Sequence, residues 1–246
     1  MAMNVLSILL LCACMPLAAR ASSAGPPLAH TGAPGEANCT ACHASFPINS
    51  GNGSFIIEGP VSFRANESHT ITVRLQDPGQ SRWGFELTTQ GQGLISLLEP
   101  GRTQVSTAPN GFQYLRHTSL GTNAGTANGP VSWTFNWTAP NVPSTQVVFW
   151  AAGNAANNNL GSNGDYIYTT SLTVPLALDA VNDLTLTMDG TMALLGWSPV
   201  ATATAYRVER ASSMDAAWVS LGQVGSPGFL DLGAGNQALY RVVALR

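Results

Sequence analysis

Residues 39–43 read Cys-Thr-Ala-Cys-His. Two cysteines at this spacing can form thioethers with the two vinyl groups of one haem, and the histidine that follows reaches the iron from the same side. The run therefore predicts Cys39 and Cys42 as covalent anchors of a single haem c, with His43 as an iron ligand. Other readings of the same residues stay open. A Cys39–Cys42 disulfide would close a tight loop in an oxidising compartment, leaving His43 solvated. A dithiol redox pair expects a strand-then-helix setting, whereas these flanks are loop-like. Zinc would need further ligands, and the other histidines are His30, His69 and His117.

A six-coordinate haem iron needs a second protein ligand. Beyond the leader the methionines are Met188, Met192 and Met214, far along the chain from the cysteine run, so histidine is expected. His117 is the preferred candidate, because it ends the strand pattern "GFQYLRH" and enters a turn-rich stretch where a side chain can point off a sheet edge. His30 lies in a Gly/Pro arm before the motif and is second in order. Trp83 could cover a haem face and Arg82 could pair a propionate. The polar run "NAANNNLGSNGD" has oxygens enough for calcium but no regular ligand spacing, so a plain turn is expected there.

Bulk composition limits the partners. The chain has 246 residues, 45% hydrophobic and 9% charged, with a net charge of −3. All ten basic residues are arginines, scattered singly, which gives neither a nucleic-acid surface nor a polybasic membrane patch. The redox partner of such a protein is not legible. No Ser-His-Asp order, carboxylate pair or phosphate loop stands out, so no enzymatic activity is expected.

Residues 1–21 carry an apolar run ending in Ala19-Arg20-Ala21, the pattern of a signal peptide cleaved before Ser22. A rival reading acylates Cys14. Export to the periplasm or cell surface follows, with no membrane span in the mature chain, which keeps only Cys39 and Cys42. Residues 22–38 read as an extended arm. From 39 to 176, short alternating segments such as "HTITVRLQD" and "VSWTFNWTAP" are divided by Gly, Asn and Pro clusters, which predicts an antiparallel β-sandwich. Residues 178–246 form a second, smaller β unit in which Leu195/Trp197, Tyr206/Val208 and Tyr240/Val242 alternate as core positions.

Two resemblances extend this reading. "HTGAPGEANCTACH", "QDPGQSRWGF", "YLRHTSLGT", "WTFNWTAP", "VVFWAAGNAANNN" and "GDYIYTTSLTV" occur in that order, and over residues 30 to 175 the chain resembles the bacterial reelin-like domain called choice-of-anchor V. That implies an exported β-sandwich but no biochemical activity. "LLGWSPVATATAYRVER" is similar to the strand B to strand C passage of a fibronectin type III domain, which implies a spacer or docking module. Electron transfer or redox sensing at one haem is thus the expected function. The alternative is a non-redox adhesion or ligand-binding sandwich stapled by a disulfide.

Overall fold

The computed structural model describes residues 22–235 and 237–246; the expected leader, with its cleavage motif and Cys14, lies outside them. The chain is all-β, as its alternation predicts. Nine strands build the larger sandwich among the described residues: β1 (Ser54–Glu58), β2 (Ser68–Gln76), β3 (Arg82–Thr88), β4 (Leu94–Leu97), β5 (Thr103–Thr107), β6 (Gln113–His117), β7 (Val131–Thr138), β8 (Gln146–Ala156) and β9 (Tyr166–Pro175). They form two sheets, ordered β1-β2-β7-β4 and β5-β6-β3-β8-β9.

Period-two patterning decides which side chains meet. In β7 burial alternates strictly, sending Val131, Trp133, Phe135 and Trp137 inward. β2 pairs antiparallel with β7 over eight positions and adds Ile71, Val73 and Leu75 to the same face. From the five-stranded sheet, Phe85 meets Trp133 with ring centroids 4.5 Å apart, and Phe149 meets Trp137 edge-on at 5.2 Å. The tryptophans on β7 are therefore core, and their large apolar area is what joins the sheets.

The chain divides into two compact units that interleave in sequence. One comprises residues up to Gly59, with Ser68–Thr138 and Val148–Leu172; the other comprises Pro60–Glu67, Ala139–Val147 and Thr173–Arg246. The second unit carries β10 (Thr185–Asp189), β11 (Met192–Gly196), β12 (Ala205–Ala211), β13 (Val219–Val224), β14 (Phe229–Asp231) and β15 (Leu239–Leu245). These pair as two three-stranded sheets, β10-β11-β14 and β13-β12-β15. Leu195, Trp197, Tyr206, Val208 and Val242 form its small core, with Tyr240 partly buried against it. The Tyr206 hydroxyl accepts the Val200 N–H at 2.8 Å, so the buried ring keeps a polar partner. No helix among the described residues is long and apolar enough to cross a membrane.

Candidate functional site: a cavity at the Cys39–His43 turn

The site begins with an anomaly in β3. Phe85 and Leu87 face the sandwich, so Gly84, Glu86 and Thr88 should face solvent, yet every residue from Trp83 to Thr88 is buried. Something must cover the outer face, and it is the segment before the cysteine run. His30 N–H donates to Glu86 Oε2 at 2.6 Å, Tyr114 Oη donates to Glu36 Oε1 at 2.7 Å, and Arg116 Nη1 donates to the Pro26 carbonyl at 2.7 Å. Within the segment, Ala37 N–H bonds to the Ala29 carbonyl and Gly32 N–H to that of Ala37. Gly32 has φ 76°, and a Cβ there would come within 3.0 Å of Thr169 Cγ2. Thr31 and Ala33 are buried, so this stretch is a docked strap and not a free extended arm.

Beyond the strap the chain makes one tight turn. Asn38 caps it by accepting the Thr40 N–H at 2.9 Å, Cys39–Ala41 is a single 3-10 turn, and the Cys39 carbonyl accepts both the Cys42 N–H (3.3 Å) and the His43 N–H (3.0 Å). This winding turns Cys39, Cys42 and His43 onto one cavity of about 280 Å³. Both thiols are unpaired. Burial, and after it the nearby Glu86 carboxyl, pushes the Cys39 thiol up to about 12. That runs opposite to the thiolate stabilisation on which a reactive dithiol pair depends.

His43 is held by a residue that the sequence did not single out. Its Nδ1 lies 2.6 Å from Asp165 Oδ2, and the Asp165 side chain is fully buried. The other carboxylate oxygen accepts the Asn157 N–H at 3.2 Å. A carboxylate only accepts, so Nδ1 carries the proton and Nε2 keeps its lone pair. Among the described residues the Asn154 Nδ2 is the one other polar atom hydrogen-bonded to the ring, 3.2 Å from both nitrogens. Asp165 is delivered by the polar loop between β8 and β9. This is the stretch expected to be a plain turn, and 122 residues separate it from its partner. No local spacing signals such a pair.

The remaining candidates divide. His117 lines the same cavity but does not point off a sheet edge: it is 7% exposed. Its ring takes the place of a ladder partner on β3, where the Phe85 N–H donates to Nδ1 at 3.0 Å and the Phe85 carbonyl lies 3.2 Å from the same atom. It fits only because residue 84 is glycine, where a Cβ would sit 2.7 Å from His117 Cε1. Burial drives this imidazole down to about 4; hydrogen bonds to the Phe85 and Ser22 backbones oppose the shift, and Arg116 and Arg82 add to it. His30 also lines the cavity, with Nδ1 3.0 Å from the Leu28 carbonyl. His69 lies elsewhere, on β2, stacked near Trp137. Trp83 is a cavity wall whose indole N–H donates to the Thr126 carbonyl at 3.0 Å. Arg82 reaches the rim and is held by Asn158 Oδ1 (3.1 Å) and Ser23 Oγ (2.8 Å). Glu86 lies beneath the strap: burial raises its carboxyl to about 8, against the pull of the His30 N–H and Arg116, and Oε1 has no hydrogen-bond partner among the described residues.

The donor set suits a macrocycle better than a bare metal ion. Among the described residues no three His, Cys, Asp or Glu side chains converge as a metal centre. A haem brings four nitrogens of its own and needs only one or two from the protein. The cavity lies just under the ~300–1,000 Å³ of sites that enclose a small molecule, so a haem would be covered in part and open to solvent along the rest.

No family model matches the chain, and no curated protein matches it. Among solved structures it is similar to the human F-spondin reeler domain, with 13% identity over 55% of this chain and 96% of that one and a TM-score of 0.36. The Reelin-N domain of F-spondin matches with 17% identity over 55% and 94%, TM-score 0.35. The seventh ScaB type I cohesin from Pseudobacteroides cellulosolvens matches with 9% identity over 53% and 96%, TM-score 0.35. The structural neighbours of this all-β chain thus include the reelin-type domain.

Proposed function

We propose that the chain is an exported protein carrying one covalent haem c, working in electron transfer or redox sensing. The observation that carries this reading is the turn at residues 39–43, which opens two unpaired thiols and a tautomer-fixed imidazole onto a single cavity. Cys39 and Cys42 would hold the group through thioethers and His43 would ligate its iron through Nε2. Bound haem supplies one-electron exchange between two iron oxidation states. Asp165 fixes the His43 ring and increases the basicity of Nε2. The strap and β3 exclude water from one side, and Trp83 walls the cavity with apolar surface.

The test is mass spectrometry of protein made alongside the cytochrome c maturation enzymes. A peptide containing both Cys39 and Cys42 should carry one haem, and the double Cys→Ser variant should carry none. A peptide lighter by two hydrogens and free of haem would overturn the proposal in favour of a disulfide-stapled adhesion sandwich.

A further inference from the structure

Given the haem site proposed above, we infer that His30, and not His117, supplies the second axial nitrogen to the iron. Both histidines line the cavity with Cys39, Cys42 and His43, so proximity does not choose between them. The tautomer does. A ligating histidine presents an unprotonated nitrogen, usually while its other ring N–H is held by a carbonyl or carboxylate. Among the described residues the His30 Nδ1 meets only the Leu28 carbonyl, at 3.0 Å. A carbonyl cannot donate, so Nδ1 carries the hydrogen and Nε2 keeps the lone pair. No hydrogen bond from the described residues engages that Nε2. His43 carries the same tautomer, Nδ1–H on Asp165, with Asn154 Nδ2 3.2 Å from its unprotonated Nε2. The cavity thus holds two imidazoles of the same tautomer.

His117 is committed to the backbone. The buried Phe85 N–H donates to Nδ1 at 3.0 Å, nearer than the Phe85 carbonyl at 3.2 Å; a backbone N–H can only donate, so Nδ1 serves as its acceptor and the ring hydrogen sits on Nε2. Ligating through Nε2 would require the other tautomer and leave the buried Phe85 N–H without its acceptor, a loss of the kind folded proteins avoid. The ring cannot swing freely either, since it lies against Gly84.

The strap explains how His30 is held in place. Its own N–H is fixed by Glu86 Oε2 at 2.6 Å, and the neighbouring Ala29 carbonyl takes the Ala37 N–H at 3.1 Å, two residues before Cys39. Residue 30 and the first thiol therefore belong to one closed loop, and the imidazole travels with the anchor.

Three haem-loaded proteins decide the matter: the unmodified chain, His30→Ala and His117→Asn. Each is first checked by mass for covalent haem, so that failure of the haem site itself is separated from failure of this assignment. The unmodified protein should give a low-spin ferric spectrum with two nitrogen ligands by electron paramagnetic resonance. His30→Ala should lose the low-spin signal with its haem still attached, and added imidazole should restore it. His117→Asn, which keeps an acceptor for the Phe85 N–H, should stay low-spin. A low-spin His30→Ala protein without imidazole, a high-spin His117→Asn protein, or a high-spin unmodified protein would each overturn the assignment. Absence of covalent haem from all three would remove the site on which it depends.

Discussion

His117 gives the sharpest stability prediction, because one ring has a structural bond and a large shift. In the folded chain burial holds its pKa near 4, against 6.5 when exposed. Between those values the unfolded chain binds a proton that the folded chain does not, so stability falls as pH drops from about 6.5 to 4 and is fully present above 6.5. Moving the pKa from 6.5 to about 4, at ~1.36 kcal/mol per tenfold change in proton affinity, makes the loss about 3 kcal/mol. Glu86 acts in the opposite sense: its folded pKa of about 8 exceeds the ordinary 4.5, so its contribution declines as pH rises through that interval and partly masks the His117 limb. A difference measurement removes the mask. His117→Asn retains an acceptor for the Phe85 N–H but cannot titrate. Urea unfolding of the haem-free chain and of this variant, at pH steps from 4 to 7.5, should show the cost of the substitution greatest at neutral pH. That cost should shrink by about 3 kcal/mol on going to pH 4. A cost that is constant across the range would refute the buried, neutral His117.

Gly84→Ala places a Cβ 2.7 Å from the same ring, and by overpacking should lower unfolding stability by about 1–3 kcal/mol, read by the same urea melts. In the haem-loaded protein Asp165→Asn weakens the acceptor on His43 Nδ1, so the reduction potential should move upward in a spectroelectrochemical titration. Trp133→Ala removes a fully buried ring that packs against Phe85, and should cost about 3–5 kcal/mol by thermal or urea unfolding. Glu86→Gln removes the carboxyl whose folded pKa is raised, and should abolish the part of the stability loss that falls between about pH 4.5 and 8.

Much of the architecture was legible because β-sheets impose a period of two. Trp133, Phe135 and Trp137 announced their shared face by spacing alone, and the structure buries all three. Leu195 with Trp197 and Tyr206 with Val208 did the same for the second unit. The anchor run was equally plain, since five consecutive residues contain the whole pattern and one helical turn is enough to align them. What lay beyond local spacing was decided by tertiary structure. Burial of Gly84, Glu86 and Thr88 on the outer face of β3 depends on a strap that arrives from over 40 residues earlier and is held to the sheet through the Glu86, Tyr114 and Arg116 side chains, long-range partners that no local spacing announces. The partnership of His43 with Asp165 bridges 122 residues and needs the β8–β9 loop to fold back to the turn. Its place at the end of a strand pattern suggested that His117 pointed off a sheet edge; the missing Cβ at Gly84 leaves room for the ring to lie inward, where Nδ1 accepts the Phe85 N–H. Sequence periodicity settles which side of a sheet a residue faces, because that is set by its neighbours one and two positions away. Which nitrogen of an imidazole keeps its lone pair is settled by a hydrogen-bond partner, and that partner is supplied only when distant segments of the chain close upon one another.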